Sequence, residues 1–303
     1  MFQGVYTALI TPFEASNLEK VDYSTFEKLL ERQISEGIHG VVPCGTTGES
    51  PTLTNEEHDK IIEASVQIVK KRIPVLAGTG SNSTREAIER TLHAEKVGAD
   101  GALIMTPYYN KPTQEGIFQH FKAIHDATNI PIIIYNIPGR SVVDIKDETI
   151  ARIAELPRIA GLKDATGDLS RPTNLKKIFE NNSKLNSKIF YQMSGDDETA
   201  VDFNKLGGVG CISVSSNLLP KICAEVQDLC KAKKFEEAKN LDNKISAIHK
   251  DLFIESSPQP IKFAMEYFGL CSGNLRLPLV KISEQTEAKL KSTLNKIATI
   301  NSF

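Results

Sequence analysis

Eight short apolar runs recur along residues 1–218, and a longer amphipathic stretch follows each of them. The runs are continuous rather than alternating, as is typical of parallel strands covered by helices. The predicted strands are Val5–Ile10, Gly40–Pro43, Ile73–Ala77, Gly101–Met105, Pro131–Tyr135, Ile159–Leu162, Ile189–Met193 and Val209–Val214. Eight strands alternating with helices predict an α/β fold, the (β/α)8 TIM barrel. An open doubly wound sheet is the alternative, but no G-x-G-x-x-G motif follows the first run.

Helix signals divide the chain into two parts. Three predicted helices begin with a capping box, at Ser24–Glu27, Thr54–Glu57 and Ser83–Glu86. Beyond residue 218 the strands stop, and helices are predicted around residues 220–232, 235–255, 260–268 and 281–298. We therefore expect a barrel that carries the active site at residues 1–218 and a C-terminal helical region at residues 219–303.

Two segments outside the strands carry further expectations. The polar stretch Asn181–Lys188 is predicted to be an exposed loop before the seventh strand. In the predicted helix 235–255, apolar residues spaced by three and four form a narrow seam, which comprises Ala238, Leu241, Ile245, Ile248 and Leu252. Such a seam either docks on the barrel or forms a contact between subunits.

The composition excludes several classes of partner. The formal net charge is −2 and the charged residues, 24% of the chain, have intermixed signs, which disfavours nucleic-acid and lipid-surface binding. The N-terminal stretch has no basic residue before its apolar part, so it resembles a first strand more than a signal peptide. No run approaches the roughly 20 apolar residues that span a bilayer. We therefore expect no nucleic-acid or membrane partner.

No metal site or disulfide framework is expected. The six histidines show no HExxH or similar ligand spacing, and the five cysteines form no CxxC pair. Asp196 and Asp197 could hold a cation, but capping a helix that begins at Glu198 explains them better. The cysteine pattern favours a reducing, cytoplasmic environment.

The candidate chemistry lies where the predicted strands end, because active sites of such barrels lie at the C-terminal ends of the strands. Lys163 directly follows the apolar run Ile-Ala-Gly-Leu, and Tyr135 ends the neighbouring strand. Desolvation favours the neutral amine, which can attack a carbonyl, and an adjacent phenol can transfer protons. The alternatives are a lysine that reaches water past the rim or pairs with Asp164, and a tyrosine that only packs in the core.

Two further strand ends offer groups for anions. The loop Gly45–Glu49 is small and polar, so its backbone N–H groups can cradle a carboxylate, and Thr46 or Thr47 can relay a proton to Tyr135. It is not a nucleotide P-loop, because no Gly-Lys-Ser/Thr follows. Arg140 follows a Pro-Gly turn, where a guanidinium can hold a carboxylate with two hydrogen bonds. Ordinary solvation is the alternative for Arg140.

Taken together, six motifs resemble the dihydrodipicolinate synthase family over the whole chain. The motifs, in order, are GTTGES, TPYYNKP, YNIPGRS, GLKDATGD, SGDD and GGVGCISV. The resemblance implies a class I aldolase on a (β/α)8 barrel that condenses pyruvate with aspartate-4-semialdehyde, on the route to diaminopimelate and lysine. It implies no cofactor, because the substrate pyruvate forms a Schiff base with the enzyme.

The resemblance also implies a role for each matching residue. Lys163 is the Schiff-base lysine, and Tyr135 is the general acid and base. Thr46 relays protons, and Tyr109 completes this relay from across a dimer interface. Thr47 binds the pyruvate carboxylate, and Arg140 binds the semialdehyde carboxylate. The backbone of Ile212 contacts pyruvate, and Gly195 belongs to the substrate-binding residues.

Regulation and assembly are further implications of the resemblance. Some members are inhibited by lysine at a dimer interface, and the matching positions here are Ser50, Pro51, Asn55, His58, Asn82, Glu86 and Tyr108. Asn55 replaces a histidine of the inhibited pattern, which weakens the expectation of inhibition. The family implies a homotetramer, a dimer of dimers, with a homodimer as the alternative.

Two other functions compete with this interpretation. N-acetylneuraminate lyase and 2-keto-3-deoxy sugar-acid aldolases would share Lys163, Tyr135 and a similar loop, whereas Arg140 and the pair Tyr108–Tyr109 favour the synthase. A catalytically inactive barrel that serves as a binding protein would be expected to lose the lysine or its proton relay, and both are present.

Overall fold

A closed barrel of eight parallel strands forms the centre of the computed structural model, which describes residues 1–299. The strands are β1 Gly4–Ala8, β2 Phe13–Glu14, β3 Asn17–Val21, β4 Gly40–Val42, β5 Leu76–Gly78, β6 Gly101–Met105, β7 Ile132–Asn136, β8 Ile159–Asp164, β9 Tyr191–Ser194 and β10 Gly210–Ser213. The barrel order is β4-β1-β10-β9-β8-β7-β6-β5. A parallel bridge between Val41 and Val75 closes β4 onto β5. This confirms the predicted (β/α)8 barrel.

Two features of the strands differ from the prediction. The antiparallel hairpin β2–β3 was not predicted, because Asn17–Val21 is mostly exposed and lacks an apolar run. The seventh barrel strand begins at Tyr191 rather than at Ile189, whose side chain is 73% exposed. The eight barrel runs were found because burial on both faces makes them apolar throughout.

The helices alternate with the strands and then continue alone. Around the barrel they are α1 Tyr23–Ser35, α2 Asn55–Val69, α3 Thr84–Val97, α4 Gln114–Ala127, α5 Pro138–Ser141, α6 Asp147–Ala154, α7 Arg171–Glu180 and α8 Ala200–Lys205. After β10 they are α9 Pro220–Lys231, α10 Phe235–Asp242, α11 Ser246–Asp251, α12 Gln259–Tyr267 and α13 Glu284–Ile297. The single helix predicted at residues 235–255 is therefore two shorter helices. Within residues 1–299, no helix is long and apolar enough to cross a membrane.

The predicted capping boxes have three different outcomes. The box at Thr54 is complete, with the Thr54 hydroxyl accepting from the Glu57 N–H and the Glu57 carboxylate accepting from the Thr54 N–H. Ser83 caps α3, but the partner carboxylate of Glu86 accepts from another hydroxyl instead. The box at Ser24 is wrong, because α1 begins at Tyr23, two residues earlier than a cap at Ser24 would place it.

Asp22 replaces Ser24 as the cap of α1. Its carboxylate accepts from the Thr25 N–H at 2.9 Å and from the Thr25 hydroxyl at 2.7 Å. A carboxylate is a stronger acceptor than a hydroxyl at the positive end of a helix. This explains why the earlier acidic residue sets the start of the helix.

The C-terminal helices pack on the barrel. Ile245, Ile248 and Leu252 are buried in one apolar cluster with Val5 and Val41 of the barrel strands. This part of the apolar seam therefore docks within the chain. The last barrel strand ends at Ser213, and a domain boundary at residue 218 stays a prediction.

The polar segment before β9 forms turns between α7 and the strand. One buried side chain and one lysine hold it against the rest of the chain. Leu185 is buried, and the Lys188 ammonium donates to the carbonyls of Ala154 at 2.6 Å and Leu156 at 2.8 Å. The predicted loop is therefore more ordered than its composition indicates.

Candidate active site

Lys163 lies at the carboxyl end of β8 with its side chain turned into the barrel. It pairs in register with Tyr135 of β7 and Met193 of β9, and its side chain is only 6% exposed. The next residue, Asp164, lies on the other face of the strand, where Thr166 donates to it at 2.8 Å and Arg171 forms an ion pair at 3.5 Å. Lys163 therefore neither reaches past the rim nor pairs with Asp164.

The amine of Lys163 and the ring of Tyr135 are in contact. Lys163 Nζ lies 4.0 Å from the centroid of the Tyr135 ring, and Tyr135 is 5% exposed. Parallel strands lie about 4.8 Å apart, so paired residues on one face meet directly. The structure thus brings together the predicted nucleophile and the predicted acid and base.

Gly195 gives the Lys163 side chain its space. A Cβ atom at this position would lie 3.0 Å from Lys163 Cε and 2.7 Å from Ala165 Cβ. The Gly195 N–H donates to the Asp164 carbonyl at 2.6 Å, which holds the loop after β9 against β8. Gly195 therefore lies beside the Lys163 side chain, where the prediction placed it.

Ile212 forms part of the apolar floor beneath these residues. Its buried side chain packs in the barrel interior with Tyr135 and Met193. An apolar floor keeps water away from the side chains above it. The predicted backbone contact of Ile212 with a substrate stays a prediction.

The interpretation of Asp197 as a helix cap is wrong. Helix α8 begins at Ala200, and the Asp197 carboxylate accepts from the N–H groups of Val214 at 2.9 Å and Ser215 at 3.1 Å. These N–H groups lie just past the end of β10, where the ladder leaves them without a strand partner. Asp197 therefore fixes the chain that follows Ile212.

Backbone hydrogen bonds between residues three apart in sequence close the loop Gly45–Glu49. The Gly48 N–H donates to the Gly45 carbonyl, and the Glu49 N–H donates to the Thr46 carbonyl, each at 3.1 Å. Thr46 is half-buried and Thr47 is buried. The loop after β4 is a tight turn, as its composition predicted.

A buried ion pair behind this loop was missed by the sequence reasoning. Lys262 of α12 is in ion-pair contact with Glu49, and Arg276 donates its backbone N–H to the other Glu49 oxygen at 3.1 Å. Burial lowers the pKa of Lys262, and the charge of Glu49 opposes that change. The available signal was a lysine within the apolar stretch Pro260–Met265.

A cavity of about 320 Å³ opens beside the loop, and its lining combines two predicted groups of residues. From the substrate set it contains Thr46 and Arg140. From the set matched to lysine inhibition it contains Ser50, Pro51, Glu86 and Tyr108. Arg90, which the sequence reasoning did not single out, also lines it and pairs with Glu86 at 2.6 Å.

The remaining positions of the inhibitor set do not line this cavity, and their contacts are with other residues. His58 is fully buried, and its Nε2 is 2.9 Å from the Gly78 carbonyl oxygen. Burial, together with the charge of Arg90, lowers the pKa of His58 to about 4. Asn55 accepts a long hydrogen bond from Arg90 at 3.4 Å, and the Asn82 carbonyl accepts from the side chain of Asn110 at 2.9 Å.

Arg140 lies at the rim, in α5. Its guanidinium is exposed and donates to the Ser257 carbonyl at 3.2 Å. Within residues 1–299 this neutral carbonyl is its only hydrogen-bond partner, so the guanidinium can still receive an anion from solvent. The contact with Ser257, in the C-terminal part of the chain, had no signal in the sequence.

Tyr109 stands apart from the other predicted residues. It is 87% exposed and adopts a left-handed backbone with φ of 69°. Such a backbone is uncommon for a residue other than glycine. Within one chain, Tyr109 remains open to solvent.

Metal and thiol chemistry depend on how the His, Cys, Asp and Glu side chains of residues 1–299 are arranged. No cluster of three or more His, Cys, Asp or Glu side chains in this range is arranged to hold a metal ion. Cys44, next to the loop, is buried, and burial raises the pKa of its thiol. A thiol that stays protonated is a poor nucleophile.

Comparison with known proteins identifies the family of the chain. Residues 1–297 match the profile of the dihydrodipicolinate synthetase family. A 4-hydroxy-tetrahydrodipicolinate synthase of Pelagibacter ubique is 51% identical over 297 residues, which is 97% of this chain and 98% of that protein.

Two solved structures are similar along nearly the whole chain. The 4-hydroxy-tetrahydrodipicolinate synthase of Methylacidiphilum fumariolicum SolV has a TM-score of 0.93 at 43% identity, covering 99% of this chain and 97% of that one. The chloride-inhibited dihydrodipicolinate synthase of Acinetobacter baumannii, in complex with pyruvate, has a TM-score of 0.93 at 46% identity, covering 98% and 99%. The chain belongs to the dihydrodipicolinate synthetase family.

Proposed function

We propose that the chain is a lyase that condenses pyruvate with aspartate-4-semialdehyde to give 4-hydroxy-tetrahydrodipicolinate, in the biosynthesis of diaminopimelate and lysine. The observation that carries this proposal is the buried Lys163 amine, 4.0 Å from the Tyr135 ring at the carboxyl end of the barrel. The synthase named above, 51% identical to this chain, favours this reaction over N-acetylneuraminate or sugar-acid cleavage.

The reaction would begin with a Schiff base on Lys163. Its neutral amine attacks the ketone carbon of pyruvate, and loss of water from the carbinolamine gives the imine. Removal of a proton from the methyl group gives an enamine, which attacks the aldehyde carbon of the semialdehyde. The amino group of that substrate then displaces Lys163 from the imine carbon, which closes the ring and frees the enzyme.

Tyr135 would carry the protons that these steps exchange. Carbinolamine formation and dehydration each move a proton, and a positioned phenol contributes typically 10²–10⁴-fold to such a step. Thr46 would relay protons between Tyr135 and the barrel mouth. Support comes from the contact of Tyr135 with Lys163 and from the place of Thr46 on the cavity wall.

The two substrate carboxylates would bind at separate places. The Gly48 and Glu49 N–H groups donate within the loop, so the hydroxyl of Thr47 and the consecutive N–H groups of Thr46 and Thr47 would hold pyruvate. Arg140 would hold the semialdehyde at the rim, where it is exposed. Gly195 and the backbone of Ile212 would complete the pyruvate pocket around Lys163.

The enzyme would need no cofactor and would act as a homotetramer, a dimer of dimers. An exposed tyrosine on a left-handed backbone supports a contact in which Tyr109 enters the site of a second copy. Five free cysteines, four of them buried, support a reducing cytoplasm as the place of action. Sedimentation should find the tetramer at micromolar concentration, and monomer alone would contradict the assembly.

Free lysine is a candidate inhibitor at the cavity that Ser50, Glu86 and Tyr108 line. A carboxylate and a phenol can accept from the two ammonium groups of an amino acid of this kind. Asn55 in place of the histidine of the inhibited pattern argues for weak inhibition. Turnover measured against rising lysine tests this, and no change up to millimolar lysine would remove the proposal.

A coupled assay separates the candidate reactions. We expect product formation with pyruvate and aspartate-4-semialdehyde, and no pyruvate release from N-acetylneuraminate or a 2-keto-3-deoxy sugar acid. The opposite pattern would assign the chain to the sugar-acid lyases. No turnover with any of these substrates would support the inactive barrel.

A further inference from the structure

We propose that the buried ion pair between Glu49 and Lys262 positions the loop that binds the pyruvate carboxylate. Lys262 is thus a positioning residue supplied by the C-terminal helices. This inference rests on the proposed function, in which Thr46 and Thr47 of the same loop serve pyruvate.

Both members of the pair are enclosed. Lys262 is 0% exposed and Glu49 is 1% exposed. The Lys262 ammonium also donates to the Asn274 carbonyl at 2.9 Å and lies 4.1 Å from the centroid of the Phe13 ring. A lysine held by a carboxylate, a carbonyl and an aromatic face has one fixed position rather than many.

The pair is joined to the loop through the backbone of Glu49. That residue adopts a left-handed conformation with φ of 55°, which a side chain tolerates only when its surroundings fix it. Its N–H donates to the Thr46 carbonyl at 3.1 Å, and its carbonyl accepts from the Thr52 N–H at 2.9 Å. Movement of the Glu49 carboxylate would therefore turn the backbone that carries Thr46 and Thr47.

Charge gives a second reason for Lys262. A carboxylate buried three residues from Thr46 would repel an incoming pyruvate anion strongly, because little water screens it. Lys262 compensates that charge where the two groups meet. Stability alone does not explain the pair, since buried ion pairs are often replaced by apolar residues without loss.

The test follows borohydride trapping of pyruvate on Lys163 as a function of pyruvate concentration. Lys262→Met keeps the length of the side chain but leaves the Glu49 carboxylate without its cation. We expect the half-saturating pyruvate concentration to rise by about tenfold or more, with full labelling at saturation and a semialdehyde KM within about twofold.

A second pair of variants separates positioning from folding. The single variant Glu49→Gln keeps the shape of the side chain and an acceptor for the Arg276 N–H. The double variant, Glu49→Gln combined with Lys262→Met, removes both charges and so buries no unpaired charge. Both should fold, as thermal unfolding will report, and both should raise half-saturating pyruvate by about threefold. The combined variant should therefore bind pyruvate better than Lys262→Met alone.

Glu57→Gln is the matched control. Glu57 also pairs with the C-terminal segment, through two 2.7 Å contacts with Arg276, but it lies on α2 rather than on the loop. The half-saturating pyruvate concentration of Glu57→Gln should stay within about twofold of the wild-type value.

The outcomes are distinguishable. An unlabelled wild-type enzyme would overturn the proposed function itself. If the wild type is labelled, the positioning role depends on the variants. An unchanged half-saturating pyruvate concentration in folded Lys262→Met would overturn that role. If Lys262→Met does not fold, an unchanged value in Glu49→Gln would overturn it. Equal rises in the KM of both substrates would also overturn it.

Discussion

Lys163 and Tyr135 occupy paired positions on neighbouring parallel strands, and that register alone sets the amine over the ring. Neither side chain depends on a flexible loop for its place, because both belong to the strands themselves. A site built on strands is held more closely than one built on loops. At the scale of single residues, the proposed chemistry therefore depends on where two apolar runs end.

Removing the phenol should slow chemistry more than binding. Tyr135→Phe keeps the ring beneath Lys163 and deletes only the hydroxyl, so kcat should fall by roughly 10²–10⁴-fold, with a smaller change in the pyruvate KM. Steady-state kinetics measure both. Tyr6→Phe is the control, because Tyr6 is also buried in the barrel but donates to the Met1 carbonyl at the other end. Near-normal turnover of Tyr135→Phe would assign the proton transfer elsewhere.

Removing the rim guanidinium should affect one substrate. Arg140→Ala deletes a charge-assisted contact worth on the order of 1.5–3 kcal/mol, so the semialdehyde KM should rise about 10–100-fold. The pyruvate KM should change far less. Arg140→Lys should restore only part of the loss, because a point charge lacks the planar fork. A rise in the pyruvate KM alone would contradict this role and favour the sugar-acid aldolases.

A methyl group at Gly195 should displace the nucleophile. Gly195→Ala places its Cβ against Lys163 Cε and Ala165 Cβ, so we expect slower adduct formation with pyruvate, by about tenfold or more, in a folded protein. Gly139→Ala is the control, since a Cβ there meets nothing within 4 Å. Stopped-flow or quench measurement of the adduct compares the two. Equal rates in both variants would show that Gly195 does not shape the lysine site.

Single residues differ in how well the sequence predicts them. Lys163, Tyr135 and Arg140 were predicted because each directly follows an apolar run or a Pro-Gly turn. Lys262 was not, because nothing local indicates which carboxylate a buried lysine meets when the partner lies near the other end of the chain. Asp197 was misassigned because a helix cap is a local pattern, whereas its real partners follow the next strand.

At the scale of elements, periodicity explains both the successes and the errors. The barrel strands were found because both of their faces are buried, and Thr54 was found because a complete capping box is a short local pattern. The hairpin β2–β3 has little apolar pattern, so sequence alone gives it no signal. The end of α10 at Asp242 was missed because an apolar seam can continue across a break in the helix.

The contact between α3 and α4 makes stability depend on pH. The His120 ring of α4 is buried, with its Nδ1 3.0 Å from the Thr84 hydroxyl, and burial lowers the pKa of His120 from 6.5 to about 4. The unfolded chain therefore binds a proton at a pH where the folded chain does not. The free energy of unfolding should fall as the pH drops from about 6.5 to about 4.

The share of His120 in this loss is on the order of 3 kcal/mol. His120→Asn cannot titrate, so its free energy of unfolding should fall less over the same range. Urea unfolding of both proteins at pH 6.5 and pH 4.5 gives the comparison. Parallel losses in the two proteins would show that His120 is not responsible.

At the scale of the whole molecule, the C-terminal part of the chain packs against the barrel and contacts residues near its carboxyl end. Ile245 and Ile248 join the apolar layer outside the barrel, Lys262 meets Glu49, and the Ser257 carbonyl accepts from Arg140. The region that the sequence marks only as helical thus contacts both the loop Gly45–Glu49 and the rim.

The central claim is that Lys163 forms a Schiff base with pyruvate. Treating the protein with pyruvate and borohydride, followed by peptide mass mapping, tests it most directly. We expect one reduced pyruvyl group per chain, on the peptide that contains Lys163, and no label in folded Lys163→Ala. Labelling of a different lysine, or no labelling of the wild-type protein, would contradict the account.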